Sequence, residues 1–181
     1  MATKVTPKFP TVKNSLHSDL RKRVQVYFEE NNIKQTGGSK ILTKALILLF
    51  ILVVTYLHLM IAQPVWWVAI IECVMIGLLI AGIGFNVMHD GGHGSFSESK
   101  FVNKIASYTA SMLGVSQFMW NMKHNIIHHT YTNVDGVDDD IEIGMMMKMA
   151  PTQERKSFHK YQHIYFVPLY SLMYMFWTFY S

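Results

Sequence analysis

Five of the nine histidines in this chain fall into two short clusters, and imidazoles at such spacings can bind a metal ion. The first histidine cluster pairs His89 with His93, and the second contains His124, His128 and His129. Side chains four residues apart lie on one face of a helix. Neutral imidazoles suit iron, zinc and copper. The spacing therefore predicts five metal ligands and leaves the metal open among these three.

The pairing of the two clusters matters more than either one alone. A single pair of histidines four residues apart arises often by chance, whereas two clusters about thirty residues apart are far more typical of a metal site. In an α-helix His129 is turned by about 100° from His128, so we expect it to reach a second metal or to complete the shell of the first. His159 and His163 share the spacing, but we interpret them as basic interface residues.

Polar residues beside the clusters are candidates to orient the imidazoles through hydrogen bonds. Asp90 fits that role and fits equally well as a solvated acid at a helix end. Asn125 is a further candidate, or a capping and turn residue. Asp138 and Asp140 fall in an acidic loop, which by residue type alone is more typical of a solvated surface than of a metal shell.

Two long apolar runs precede the clusters and must position them. Hydrophobic residues make up 50% of the chain, and the runs at 41–62 and 65–88 are each long enough to cross a bilayer as a helix. Gln63 and Pro64 separate them by a tight turn, which predicts a hairpin with both outer ends on one side. Glu72, inside the second run, lies near the turn, and we interpret it as an interface residue.

The distribution of charge predicts the orientation of the hairpin. Eight of the 16 Lys and Arg residues precede Ile41, and seven more lie between Lys100 and Lys160. The positive-inside rule then places both flanks in the cytoplasm, with residues 1–40 as a cytosolic basic segment. The formal net charge of +4 is accounted for by topology and does not indicate a nucleic-acid partner. Cys73 is the single cysteine, which excludes disulfides and cysteine-ligated metal within the chain.

Two later segments complete the predicted architecture. Residues 101–120 are apolar but carry several polar side chains, and we expect an interfacial or re-entrant helix because a full crossing would separate the two clusters. From about residue 164 the chain is apolar and aromatic up to Ser181, which predicts a truncated span. The predicted fold is all-α: a polytopic helical membrane protein with a two-span hairpin, an interfacial helix and the start of a third span.

The two clusters resemble the histidine boxes of the membrane fatty acid desaturase family. The first box is HDGGHGSF, from His89 to Phe96, and the second is HNIIHHTYTN, from His124 to Asn133. The second box is followed by Gly136, Asp138, Asp140 and Ile141. These strings are most similar to the acyl-lipid and front-end branch, which includes linoleoyl-CoA desaturase-like proteins. The resemblance covers about 41–181 as an incomplete desaturase membrane domain, and it strengthens Asp138 and Asp140 as partners of the ligands.

The resemblance implies a cofactor, a reaction and a location. Members of this family hold two non-haem iron ions through three histidine boxes on the cytoplasmic side of a multi-pass membrane protein. They use dioxygen to introduce a cis double bond into the acyl chain of an acyl-CoA or acyl-lipid substrate. Their electrons come from cytochrome b5 or ferredoxin, supplied by a reductase.

The family's third histidine box does not occur before Ser181, so we expect this chain to be an N-terminal fragment that is inactive unless completed. Two other functions fit the same residues. One is a related di-iron membrane hydroxylase that acts on alkanes, sterols or sphingolipids. The other is a non-enzymatic membrane metal-binding protein, which would need histidines along a path through the bilayer instead of at one edge.

Overall fold

The computed structural model of the chain describes residues 7–10, 12–13 and 15–180. Helix accounts for 72% of the structure, and the described residues contain no strand. This confirms the predicted all-α class. The α-helices are α1 (Leu16–Glu30), α2 (Gly38–Ala62), α3 (Trp66–Ile83), α4 (His89–Gly92), α5 (Lys100–Met112), α6 (Gln117–Trp120), α7 (His129–Tyr131) and α8 (Gln162–Tyr180). Two π-helices, π1 (Gly84–Met88) and π2 (Asn121–His128), and three short 3-10 helices complete the set.

Two helical stretches in the described part of the chain are long and apolar enough to cross a membrane. One is Gly38–Ala62, and the other is Trp66–Gly92, which joins α3, π1 and α4. Gln63 ends α2 in the left-handed conformation (φ 44°), and Pro64 follows it. The helix after Pro64 continues through His89, so the second apolar run leads directly into the first histidine cluster.

The hairpin packs through a small apolar core at the end that carries the first histidine cluster. Ala45 of α2 meets Ile83 and Val87 there, together with Phe96 and Ala106 from the segment that follows. Most other side chains of α2 and α3 remain exposed, which suits helices whose apolar surface faces lipid. The chain is therefore a helical membrane protein in which the first cluster lies beside the best-packed part of the hairpin.

The segment expected as one interfacial helix at 101–120 is two helices instead. Helix α5 ends at Met112, and Gly114 then adopts a left-handed backbone (φ 81°) that stops the helix. Ser116 starts α6 by accepting a hydrogen bond from the Met119 N–H at 3.3 Å. Glycine and serine in one short stretch thus outweigh the continuous apolar pattern.

The described residues form two compact units, which lie within residues 11–113 and within residues 1–10 and 114–181. The first unit contains α1 to α5 and the first histidine cluster. The second contains α6 to α8, π2 and the second histidine cluster. Each histidine cluster thus lies within a single unit.

Candidate metal centre

The first histidine cluster brackets the four-residue helix α4: His89 begins the helix and His93 caps its end. The His89 and His93 rings meet edge to face with their centroids 4.4 Å apart, and the His93 N–H donates to the His89 carbonyl at 3.0 Å. Asp90 approaches His89 at 3.8 Å, too far for a hydrogen bond between the side chains. Its backbone carbonyl instead accepts the N–H groups of Ser95 and Phe96. Asp90 therefore fixes the loop after the cluster through its main chain.

Gly91 lets α4 pack directly against α5. A Cβ atom at this position would lie 2.6 Å from the Ser107 nitrogen, 2.7 Å from the Ala106 Cβ and 2.8 Å from the Asn103 carbonyl oxygen. The first and third of these atoms are backbone of a packed helix, so they cannot move aside easily. This close approach at Gly91 fixes the position of the histidines on either side of it.

Asn103 holds the loop that follows the first histidine cluster. Its side chain is buried, and its Nδ2 donates to the carbonyls of Gly94 at 3.0 Å and Ser97 at 2.7 Å. Its Oδ1 accepts the Ser97 N–H at 2.8 Å. One amide thus satisfies three backbone groups of a loop that has no regular structure of its own.

His124 and His128 of the second histidine cluster lie on π2, a π-helix, and His129 begins α7 directly after it. The wider turn pairs the His129 N–H with the His124 carbonyl, five residues back. The His124 ring lies 5.1 Å from that of His128 and 4.9 Å from that of His129, centroid to centroid. The His128 and His129 centroids are 5.4 Å apart. The rotation of about 100° expected for His129 is thereby reduced, and the three imidazoles converge.

Two aspartates from the loop after this cluster contact the imidazoles. The Nδ1 atom of His128 lies 2.9 and 3.0 Å from the two carboxylate oxygens of Asp138. The Nδ1 atom of His124 lies 3.0 Å from the Asp140 carboxylate. These are the contacts expected of carboxylates that orient metal-binding histidines, and they arise in the loop that residue type alone marked as solvated.

Asp138 is fully buried, at 0% exposure. Burial by itself raises the pKa of its carboxyl group. The hydrogen bonds that it accepts from His128, Asn133 and Asp140 outweigh that effect and lower the pKa below its usual value. Asp138 is therefore ionised at neutral pH and accepts a hydrogen bond from the Nδ1–H group of His128. The Nε2 atom of that ring then carries the lone pair available to a metal.

The loop geometry that delivers Asp138 depends on two left-handed residues. Asn133 (φ 63°) donates its backbone N–H to Asp138 at 2.8 Å, and Gly136 (φ 75°) turns the chain between them. The Asp140 N–H also donates to Asp138, at 3.1 Å. Asn125, the other candidate partner, donates its amide to Asn121 at 2.9 Å.

Trp120 also belongs to this site, although the pattern of histidines does not include it. Its ring is buried at 5% exposure and stacks on His124 with the centroids 4.9 Å apart and 26° between the planes. The signal in the sequence was its position four residues before His124, which places both on one helical face. Trp120 walls one side of the cluster and limits the rotation of His124.

His159 differs from the expectation of an interface residue. It is buried, its Nδ1 atom accepts the Lys156 N–H at 3.1 Å, and its Nε2 atom lies 3.0 Å from the Met145 carbonyl. Both ring nitrogens are engaged in fixing the chain before α8. His163 is exposed.

The donor chemistry of the second cluster fits a metal ion. His124, His128 and Asp140 each offer a ligand atom, and these atoms all lie within 4.8 Å of one another. Two imidazoles oriented by carboxylates, with a third beside them, are a donor set that suits a first-row transition metal. The fold and this site define the chain as a helical membrane protein with a histidine-rich candidate metal centre.

Comparison with known proteins identifies the family. The family model for fatty acid desaturase matches residues 64–181, which include both histidine clusters. The chain is 32% identical over 160 residues to an sn-1 linoleoyl-lipid 6-desaturase from Arthrospira platensis, covering 88% of this chain and 44% of that protein. The chain therefore belongs to the fatty acid desaturase family, as its two boxes predict.

Other relatives agree with this assignment. The chain is 31% identical to an sn-1 linoleoyl-lipid 6-desaturase from Synechocystis sp., over 94% of this chain and 48% of the relative. It is 31% identical to an acyl-lipid (8-3)-desaturase from Physcomitrium patens, over 85% of this chain and 32% of the relative. The chain thus spans about half the length, or less, of these curated relatives. No solved structure matches it.

Proposed function

We propose that this chain forms part of the catalytic domain of an iron-dependent desaturase that introduces a cis double bond into an acyl chain. The observation that carries the proposal is the convergence of His124, His128 and His129, with Asp138 and Asp140 bonded to the first two. Family membership supplies the reaction, and the relatives' names supply the substrate class of acyl lipids. We assign His89 and His93 as the ligands from the first box.

Each residue of the second histidine cluster would have its own role in binding the metal. His124 and His128 would present Nε2, because the aspartates accept at Nδ1, and His129 would contribute from the following turn. Bound iron would supply the activation of dioxygen that hydrogen removal from an unactivated carbon chain requires. The buried Asp138 would hold the His128 ring in the tautomer that presents Nε2 and in a fixed rotation, and Trp120 would exclude water from one side of His124.

The remaining features of the proposal concern location and partners. We infer that both histidine clusters and residues 1–40 lie in the cytoplasm. Basic residues flank both outer ends of the hairpin, and the positive-inside rule places such flanks in the cytoplasm. The acyl chain would come from a membrane lipid or an acyl-CoA, and electrons from cytochrome b5 or ferredoxin through a reductase. Residues 41–181 would then be one incomplete membrane domain, and the chain alone would not convert substrate to product.

Two measurements test the proposal. Both use a protein that contains this sequence together with any residues encoded after Ser181. Metal analysis of the purified protein should find iron in excess of zinc, and labelled fatty acids should be converted to cis-unsaturated products. His128→Gln should abolish both, whereas His163→Gln removes an exposed histidine outside the clusters and should change neither. A hydroxylated product alone would support the related hydroxylase instead, and zinc or no metal would contradict the iron assignment.

A further inference from the structure

Helix α1 carries an apolar stripe that stays open to solvent. The stripe consists of Leu16, Leu20, Val24 and Tyr27, which recur every three or four residues and so share one helical face. Their exposed fractions are 83, 57, 46 and 55%, and no residue of α1 is buried. A run of exposed apolar side chains along a whole helix marks a surface that meets another phase or another molecule.

Charged residues are arranged around this stripe in a defined order. At 100° per residue, Arg21 and Arg23 lie on its two sides, and Glu29 lies directly opposite. Asp19 bonds Arg23 at 2.8 Å from the polar side. Lys22 projects away from the stripe, near Glu29. Arg21 thus lies apart from the acids on one side of the apolar face, whereas Arg23 pairs with Asp19 and lies near Glu30 on the other side. Basic residues beside an apolar stripe are typical of helices that rest on a negatively charged surface.

The connector between α1 and α2, residues 31–37, contacts the polar side of α1 and leaves the stripe uncovered. Gln35 donates to the Gln25 side chain at 2.9 Å, and Gln25 lies away from the stripe on the helical wheel. Asn32 adopts a left-handed backbone (φ 54°), and the Ile33 N–H returns to the Phe28 carbonyl at 3.0 Å. The end of α1 is therefore a defined cap.

The connector is also tied to the loop that follows the first histidine cluster. Its Gly37 N–H donates to the Ser95 carbonyl at 3.1 Å, and its Lys34 lies 3.1 Å from Glu98. Helix α2, one of the two apolar helices that can span a bilayer, begins at Gly38. Seven connector residues reach at most about 25 Å when extended, so α1 cannot leave the neighbourhood of the membrane end of α2.

We propose that α1 lies on the membrane surface, with the apolar stripe inserted between the headgroups of anionic lipids and Arg21 and Arg23 beside their charges. The first forty residues contain eight Lys and Arg against three Asp and Glu, which complements such a surface. Because the connector ties α1 to α2, α1 stays close to the surface of the membrane that α2 can span. This goes beyond the proposed desaturation, because it requires neither metal nor substrate.

Spin labels on the whole chain test the position of α1 in nanodiscs of phosphatidylcholine with added phosphatidylserine. The labels are attached at Leu20→Cys on the stripe or Lys22→Cys on the far side, in a Cys73→Ser background. We expect oxygen, which partitions into bilayers, to reach the Leu20→Cys label and a water-soluble nickel chelate to reach the Lys22→Cys label. A stripe label that the chelate reaches freely would overturn the proposal, as would one immobilised and shielded from both relaxants, since protein would then cover the stripe.

Charge variants test the preference for anionic lipid in the chain labelled at Leu20→Cys. Each of Arg21→Gln and Arg23→Gln should lower the ratio of membrane-bound to free α1 by roughly five-fold. Lys22→Gln, which removes a charge from the far side, should lower it much less. Removing phosphatidylserine should reproduce the loss seen with the arginine variants. Equal effects of all three substitutions, or no effect of lipid charge, would overturn the anionic-lipid assignment while leaving the desaturase proposal untouched.

Discussion

The carboxylate of Asp138 lies 2.9 Å from Nδ1 of His128, and it does so from a fully buried position. The two residues are ten positions apart, so the loop between them must fold correctly before the contact exists. A buried carboxylate bonded to an imidazole fixes both the tautomer and the rotation of that ring. The acidic loop after the second histidine cluster is therefore part of the candidate metal centre, although none of its aspartates needs to bind metal.

Replacing Asp138 by asparagine should weaken metal binding while the fold survives. The amide is nearly isosteric but uncharged, and its NH2 group would face one of the donors that the carboxylate now accepts from. We expect metal affinity to fall about ten- to hundred-fold, measured by competition with a chelator. Asp139→Asn is the matched control, since Asp139 is adjacent and exposed. Equal affinities for the two variants would mean that Asp138 does not support His128.

Trp120 offers a second test of how the ligands are oriented. Replacing it by leucine removes the stacked ring from His124 and opens a gap beside it, so we expect weaker metal retention and a lower melting temperature. Trp120→Phe keeps an aromatic face and should retain most of both. Phe118→Leu, an exposed aromatic two residues away, is the control. If Trp120→Leu bound metal as tightly as the control, the stacking would have no role in the site.

The sequence was sufficient for the two spanning helices and the histidine clusters because hydrophobic length and histidine spacing are local signals. The hairpin follows from two apolar runs and a Gln-Pro turn, and the structure places the helices there. The π-helix was not predictable, since residues 121–128 show no pattern that distinguishes a five-residue from a four-residue hydrogen-bond period. The roles of Asp138 and Trp120 depend on how loop and helix pack, which spacing alone does not encode.

Gly91→Ala should destabilise the end of the hairpin that carries the first histidine cluster. The added methyl group would meet backbone atoms of α5 at 2.6 to 2.8 Å, and relieving such overpacking typically costs about 1–3 kcal/mol. Thermal unfolding in detergent should show the loss. Gly77→Ala is the control, because a Cβ there meets nothing within 4 Å and improves helix propensity. Equal melting temperatures for the two variants would contradict the packing described for α4 and α5.

Asn103→Ala should release the loop that follows the first histidine cluster. Three backbone groups of Gly94 and Ser97 lose their partner, and each buried group left unsatisfied costs about 1–3 kcal/mol unless water reaches it. Amide hydrogen exchange at Ser97 should accelerate strongly. Lys104→Gln alters the exposed neighbour on α5 and should leave that exchange rate unchanged. Unaltered protection of Ser97 in Asn103→Ala would show that the loop is held by other contacts.

The pair formed by His58 and Glu72 links the two spans of the hairpin near its turn. Their side chains meet at 2.6 Å, a contact that the interpretation of Glu72 as an interface residue does not include. The second carboxylate oxygen of Glu72 is buried without a hydrogen-bond partner, so the pair is only partly satisfied. Removing one member of a buried pair leaves the other member buried without its partner, whereas replacing both with apolar residues is often neutral or stabilising.

His58→Leu should therefore destabilise the protein more than the double replacement His58→Leu/Glu72→Leu. We expect the single variant to lose about 1–3 kcal/mol of unfolding free energy. This loss is at the low end of the range for buried pairs, because the His58 side chain is about half exposed. The double variant should recover most of it. Unfolding of all variants in the same detergent, with Glu72→Leu to complete the cycle, gives the coupling energy directly. Additive effects of the two single replacements would mean that the contact between the spans contributes nothing to the stability of the hairpin.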